Sequence, residues 1–265
     1  MQCERLIYSD TTQIGDLQPD GWGNIVSQFE FYAGSEFCFP IKLMIDHQIV
    51  GVGSTIVHND VAWLAHIIVH RDYRCKGLGR LITQTLIDQA KKNLCSTIYL
   101  TATELGEPIY RKEGFVSETE YLIYKNVAKK DWVISDHIHP YEEKYKSHFT
   151  DFDKYISGEE RMMHLESYLA DSLMFCHDGN IEGYYLPTFG EGLILATSEY
   201  AGIELLKMHL KDNDNVAILK ENLSAREFLN DTGFGELITI KRMRLGNERT
   251  VRFKNIYNRV GGKIG

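Results

Sequence analysis

Residues 66–80, His66-Ile67-Ile68-Val69-His70-Arg71-Asp72-Tyr73-Arg74-Cys75-Lys76-Gly77-Leu78-Gly79-Arg80, constrain the fold more than any other stretch of this chain. An apolar run ends in a basic loop punctuated by glycine. The loop opens directly into a segment with Leu78, Leu81, Ile82, Leu86 and Ala90 on one helical face. Gly77 and Gly79 have no Cβ, so successive N–H groups can turn toward one point. The unpaired amides of a helix start, at the positive end of its dipole, favour a phosphate there. The pattern therefore predicts a strand, an anion cradle and a helix. It is not the dinucleotide G-x-G-x-x-G pattern, because residue 82 is Ile, and no Gly-Lys-Ser/Thr completes a Walker loop.

The spacing of Arg74, Gly77 and Gly79 resembles the R-x-x-G-x-G pyrophosphate loop of the GNAT N-acetyltransferases, with Val69 at the usual end of the preceding strand. A second likeness follows one helix and one strand (Ser96 to Thr101) later, in Glu104-Leu105-Gly106-Glu107-Pro108-Ile109-Tyr110-Arg111-Lys112-Glu113-Gly114-Phe115. This is similar to the GNAT segment in which a short helix ends in Tyr-x-x-x-Gly-Phe. Gly114 is expected in the left-handed conformation that closes the helix, and Phe115 at the start of a core strand.

The resemblance implies an acetyl-CoA-dependent N-acetyltransferase. Ile67, Ile68 and Val69 would offer backbone groups to the pantetheine arm, and Arg74, Cys75, Lys76, Gly77, Leu78, Gly79 and Arg80 would hold the pyrophosphate. Thr103, with Thr101, Ala102 and Gly106, resembles a variant second motif found in tandem members and joins the cofactor-binding set. Arg74 has two readings, a phosphate contact or an ion pair folded over the loop. Tyr110 is the candidate general acid, since a phenol stays protonated at neutral pH and can donate to a departing thiolate; its alternative is closing the helix onto the core. His66 is the candidate base, its alternative a structural histidine. Glu30, Glu36, Glu104 and water are further options for that step. Trp22, Phe31, Tyr32 and Trp63 could line an apolar acceptor wall. The acceptor, a small-molecule or protein amine, is left open, and a non-catalytic acyl-CoA-binding or sensing protein is the alternative function.

Composition sets the class. With 265 residues, 43% of them hydrophobic, the chain suits two soluble domains. No stretch approaches the roughly 18 apolar residues of a membrane span, and Met1-Gln2-Cys3-Glu4-Arg5 does not read as a signal peptide. A cytoplasmic protein is expected. The five cysteines, without a C-x-x-C pair, fit reduced thiols, and His137, His139 and His148 lack the partners of a metal site, so no metal is expected. A net charge of -8 argues against a nucleic-acid surface. Asn247–Gly265 is locally basic, with Arg249, Arg252, Lys254, Arg259 and Lys263, and reads as a solvated segment finishing the second domain.

Fold class is expected to be mixed α and β: two GNAT-like domains, 1–127 and 128–265, each a mostly antiparallel central sheet flanked by helices. Strands are expected at Ile41–Val50, Gly51–His58 and Val61–His70, a linker over Lys125–Asp131, and a hairpin turning at Asp178-Gly179-Asn180. Ser157-Gly158-Glu159-Glu160 has the pattern of a capping box opening a helix. Eleven residues separate Thr103 from Gly114 and eleven separate Asn222 from Gly233, each followed by Phe and a strand. That is a weak internal repeat. In its register Leu229 replaces Tyr110, and only Thr197-Ser198-Glu199 stands where the first copy has its loop, so the second domain is expected to be a degenerate copy. Such a domain could shape the acceptor cleft or a homodimer.

Overall fold

The computed structural model describes residues 3–126 and 131–265. The chain opens with strand β1 (Cys3–Arg5) and helix α1 (Ile25–Gly34), then strands β2 (Cys38–Ile45), β3 (Gln48–His58) and β4 (Val61–Val69). Helix α2 (Leu78–Lys92), strand β5 (Thr97–Ala102) and helix α3 (Glu107–Lys112) follow. Next come β6 (Val116–Lys125), β7 (Ile138–Pro140), α4 (Lys146–Ser157), α5 (Met162–Leu165) and the hairpin β8 (Leu173–His177) and β9 (Asn180–Leu186). The chain continues as β10 (Leu193–Ala196), α6 (Glu199–Leu210), β11 (Asn215–Leu219), α7 (Leu223–Asp231), β12 (Gly235–Gly246) and β13 (Ile256–Asn258).

These elements form two compact units, and the division is not one cut. Unit 1 is Met1–Val116 with Met243–Glu248 and Gly262–Ile264; unit 2 is Ser117–Arg242 with Arg249–Gly261 and Gly265. The expected boundary at 127/128 and most of the expected linker lie on Val127–Lys130, outside the described residues. Expected to close the first domain, β6 instead counts with unit 2 from Ser117 onward. The reason is its partner: β6 runs antiparallel to β11, from Tyr121↔Leu219 to Lys125↔Asn215.

In unit 1, β1 to β4 pair antiparallel in succession and β5 lies parallel to β4. The end of β12 borders β5, where Thr97 Oγ1 donates to Asn247 O at 3.0 Å. Helix α2 buries Leu78, Ile82, Leu86, Ile87 and Ala90, and its hydrophobic face joins Leu64, Leu100, Tyr110 and Phe115 in one core. Burying each of these Leu and Ile side chains stabilises the unit by about 1.5–3 kcal/mol. Helix α1 was not expected. Ile25, Phe29 and Tyr32, at i, i+4 and i+7, form its buried face, and its start is fixed by Asn24, whose side chain accepts from the amides of Val26 and Ser27.

Unit 2 holds a five-stranded sheet in the order β13-β10-β9-β8-β7, with α6 against it, and the β6–β11 pair. Its hairpin turns at Asp178 (φ 48°) and Gly179 (φ 77°), as the sequence predicts. Two expectations need correction. The first hairpin turns at Asp46-His47, both at positive φ, not at Val50-Gly51; an Asp-His pair in a type I′ turn lacks the glycine that would have marked it. Ser157 ends α4 instead of opening a helix. Gly158 at φ 71° is the left-handed closing residue, and a Cβ there would stand 2.6 Å from Thr250 O, so only glycine fits.

Candidate active site

Strand β4 changes partners along its length. It is parallel to β5 from Val61↔Thr97 to Leu64↔Leu100, where the register ends, although β5 runs on to Ala102 and β4 to Val69. On its other edge, Ser54 pairs with Ala65 and Val52 with Ile68, so Gly53 alone opposes His66 and Ile67. That is a β-bulge, and His66 takes it up at φ 49°. The bulge bends β4 away from β5. Among the described residues, Ala65–Val69 then have a strand partner only in β3, so the main-chain groups on the β5 side face an open wedge.

The wedge leads into the loop expected to cradle an anion. Cys75 at φ 61° and Gly77 at φ 79° bracket Lys76, and the loop is exposed from Arg74 to Gly77. Such alternation turns neighbouring amides to one side. Gly77 is the N-cap of α2, and the intrahelical pattern begins only with Leu81 N–H donating to Gly77 O at 3.1 Å. The amides of Leu78, Gly79 and Arg80 therefore belong to the unpaired first turn. The basic side chains have structural partners. Arg74 Nε donates to Val69 O at 3.2 Å, Lys76 Nζ to Asp72 O at 3.1 Å, and Arg80 Nε to Glu113 Oε1 at 2.6 Å. Arg74 thus folds back onto the strand through a carbonyl, and the cradle is chiefly a backbone device.

Helix α3 lies beside it. A Cβ on Gly79 would stand 3.3 Å from Ile109 Cδ1, a measure of how closely α2 and α3 approach. Exposed Thr103 contributes its carbonyl, which accepts from the amides of Gly106 and Glu107 at 3.0 Å each. Tyr110 is 8% exposed and packs edge-on to Phe115; burial pushes its phenol up to about 12. Gly106 makes room for the ring, since a Cβ there would lie 2.7 Å from Tyr110 Cε2. The helix closes with Gly114 at φ 93°, its amide donating to Arg111 O and the Phe115 amide to Tyr110 O.

On the opposite face of the bulge, His66 meets α1. The Tyr32 hydroxyl is 2.8 Å from His66 Nδ1, and the rings of Trp22 and Phe29 lie 5.8 and 6.1 Å from the imidazole. Burial, and behind it the positive charge of Lys263, pushes the imidazole down to about 4. Of the expected acceptor wall, Trp22 and Tyr32 stand at His66, whereas Trp63 is fully buried against Tyr99. The sequence marked neither Tyr32 as the histidine's partner nor α1 as the element that carries it, because the pairing spans 34 residues. Among the described residues no three His, Cys, Asp or Glu side chains gather as a metal would require, and His148 Nδ1 is 2.8 Å from the Tyr184 hydroxyl.

Unit 2 repeats the closing turn but not the cradle. Gly233 stands at φ 83°, its amide donating to Asn230 O and that of Phe234 to Leu229 O, the bonds made around Gly114. Leu229 therefore occupies the structural position of Tyr110. The start of α6 is capped by its own Ser198, which accepts from the Ala201 amide and donates to Glu182. The edge of β10 is taken by β13, with Ile194↔Asn258 and Leu195↔Ile256 paired and Asn258 Oδ1 accepting from Ala217 N of β11 at 3.0 Å. The basic stretch is bonded in place: Arg259 to Glu191 at 2.8 Å, Arg249 to Gly158 O at 3.3 Å, and Arg252 stacked 3.5 Å from the Tyr155 ring.

A profile of the acetyltransferase (GNAT) family matches residues 7–115. Among solved structures, a candidate acetyltransferase from Pyrococcus horikoshii has a TM-score of 0.84 at 19% identity, covering 100% of this chain and 95% of that one. A GCN5-related N-acetyltransferase from Sphaerobacter thermophilus reaches 0.63 at 13% identity, covering 94% and 97%. A tandem GNAT protein from the clavulanic acid biosynthesis pathway reaches 0.61 at 11% identity, covering 94% and 99%. At these identities the likeness is one of fold, and it runs through both halves of the chain.

Proposed function

Residues 7–115 belong to the GNAT acetyltransferase family, and from that premise we propose that unit 1 moves an acetyl group from acetyl-CoA to a primary amine by direct attack. The observation that carries this reading is the end of β4–β5 pairing at Leu64↔Leu100, on the strand that feeds the Cys75–Arg80 cradle.

The open edge of Ala65–Val69 suits the amides of a pantetheine arm, which would add there like one more strand. Pyrophosphate would rest on the backbone N–H groups of Cys75 to Arg80. Attack by a neutral amine on the thioester carbonyl builds an oxyanion, and a β4 amide beside the wedge is the donor for it. One such donor contributes roughly 3 kcal/mol to lowering the barrier. Carbon–sulfur cleavage leaves a thiolate, and Tyr110, held protonated by its burial, returns the proton.

His66 takes a positioning role. An imidazole near pH 4 is neutral at pH 7 and too weak a base to strip an ammonium, so the amine loses its first proton to water. Unit 2, with Ser198 and β13 filling the corresponding places and Leu229 in place of the phenol, would bind no CoA. Incubation of the full chain with acetyl-CoA and a panel of amines, read by free thiol release, tests the reading; no release above hydrolysis with any amine, in a protein that binds CoA, would leave the sensing function instead.

A further inference from the structure

Residues 262–264 return to unit 1 at the wedge. Continuing the parallel register beyond Leu64↔Leu100 would pair Ala65 with Thr101, a pair that is not made. Thr101 Oγ1 instead donates to Gly262 O at 2.9 Å, which sets the segment at the level where β4 and β5 part. The next residue reaches α1: Lys263 Nζ donates to Gln28 Oε1 at 2.8 Å and lies 5.7 Å from the centre of the Phe31 ring. Gln28 is one helical turn before Tyr32, the partner of His66. Residues 262 and 263 thus run from β5 to α1 on the His66 side of the wedge, with a primary amine at the α1 end. From that place the positive charge of Lys263 bears on both His66 and Cys38.

We propose that Lys263 is an internal acceptor, acetylated on Nζ by the chain's own unit 1. The inference rests on the acetyl transfer proposed above and names one amine that it would modify. The ammonium first loses a proton to water. The neutral nitrogen then attacks the thioester carbonyl, the N–C bond forms, the C–S bond breaks, and the second amine proton is lost as the CoA thiolate is protonated. The products are Nζ-acetyl-lysine, CoA thiol and one proton. Being tethered, this amine would meet the thioester intramolecularly once Nζ leaves Gln28, and so would compete with free acceptors without a diffusional encounter. Acetylation also removes the cation that rests on Phe31 and depresses His66, so the modified protein would present a different acceptor side.

The test uses the full-length chain and acetyl-CoA without added amine, followed by intact-mass measurement and peptide mapping over time. The expected result is one acetyl group at Lys263, gained on the order of tenfold faster than at exposed Lys91, at a rate independent of protein concentration. In Tyr110→Phe the Lys263 rate should fall while the slow background at Lys91 stays as it is. Lys263 modified no faster than Lys91, with thiol release to added amines intact, would overturn the internal acceptor and leave the transferase standing. Absence of thiol release with every amine, together with an unmodified Lys263, would overturn both.

Discussion

The Tyr32 hydroxyl stands 2.8 Å from Nδ1 of His66, a strand residue held at φ 49°. A non-glycine residue in that conformation persists only where its surroundings hold it, and here helix α1 supplies the hold. The arrangement has a pH signature. The folded imidazole titrates near 4, against an ordinary value of 6.5, so between those values the unfolded chain takes up the proton first. The associated stability is complete above pH 6.5 and is lost as pH falls toward 4. His66→Gln should therefore lose less stability than wild type between pH 7 and 4.5, by about 2 kcal/mol in urea titrations. Equal losses in the two proteins would remove His66 from this role.

Tyr110 tests the chemistry. Tyr110→Phe keeps the ring that packs on Gly106 and Phe115 and deletes only the hydroxyl. Turnover should drop roughly 100-fold with KM for acetyl-CoA nearly unchanged, since the lost proton matters in the transition state. A rate within about twofold of wild type would assign Tyr110 to packing.

Gly77 tests the cradle. A Cβ at this position meets nothing within 4 Å, so any loss in Gly77→Ala comes from the backbone angle of 79° and not from crowding within the chain. Left-handed backbone costs an ordinary residue about 1–2 kcal/mol, which the loop would relieve by turning its amides away from the ligand. Calorimetry should show CoA affinity weakened about tenfold or more, with native circular dichroism. Unchanged affinity would place the phosphate elsewhere.

Arg161 tests the interior of unit 2. It is 1% exposed and clamps Asp153, with Nη2 to Oδ1 at 2.9 Å, while Glu159 is buried nearby. Arg161→Met would strand a buried carboxylate, and denaturation should show a loss of about 3–5 kcal/mol. A loss under about 1 kcal/mol would mean that water reaches Asp153.

What could be read from the sequence was local. The glycine-bracketed loop before α2, the α2 stripe and the turn at Gly114 follow from residues a few positions apart, and each is in the structure. What escaped depends on distant partners. Ser157-Gly158 has the composition of a helix start, yet the close approach of Thr250 makes Gly158 a helix end. The parting of β4 from β5, the α1 side of His66 and the return of Lys263 to Gln28 join residues tens to hundreds of positions apart, and no spacing rule reports such pairs.

Strand β13 gives the two units different thermodynamic characters. An occupant covalently tied to its own site has no dilution to escape into, so free CoA cannot compete with it short of melting the strand. Among the described residues the wedge of unit 1 has no such tenant on its β4 edge, and a ligand bound there would stabilise it by mass action, about 2.7 kcal/mol at a hundredfold excess over Kd. Thermal melting of the chain with rising CoA should accordingly move its transition upward by mass action at unit 1 alone, since β13 leaves unit 2 nothing to gain from the ligand.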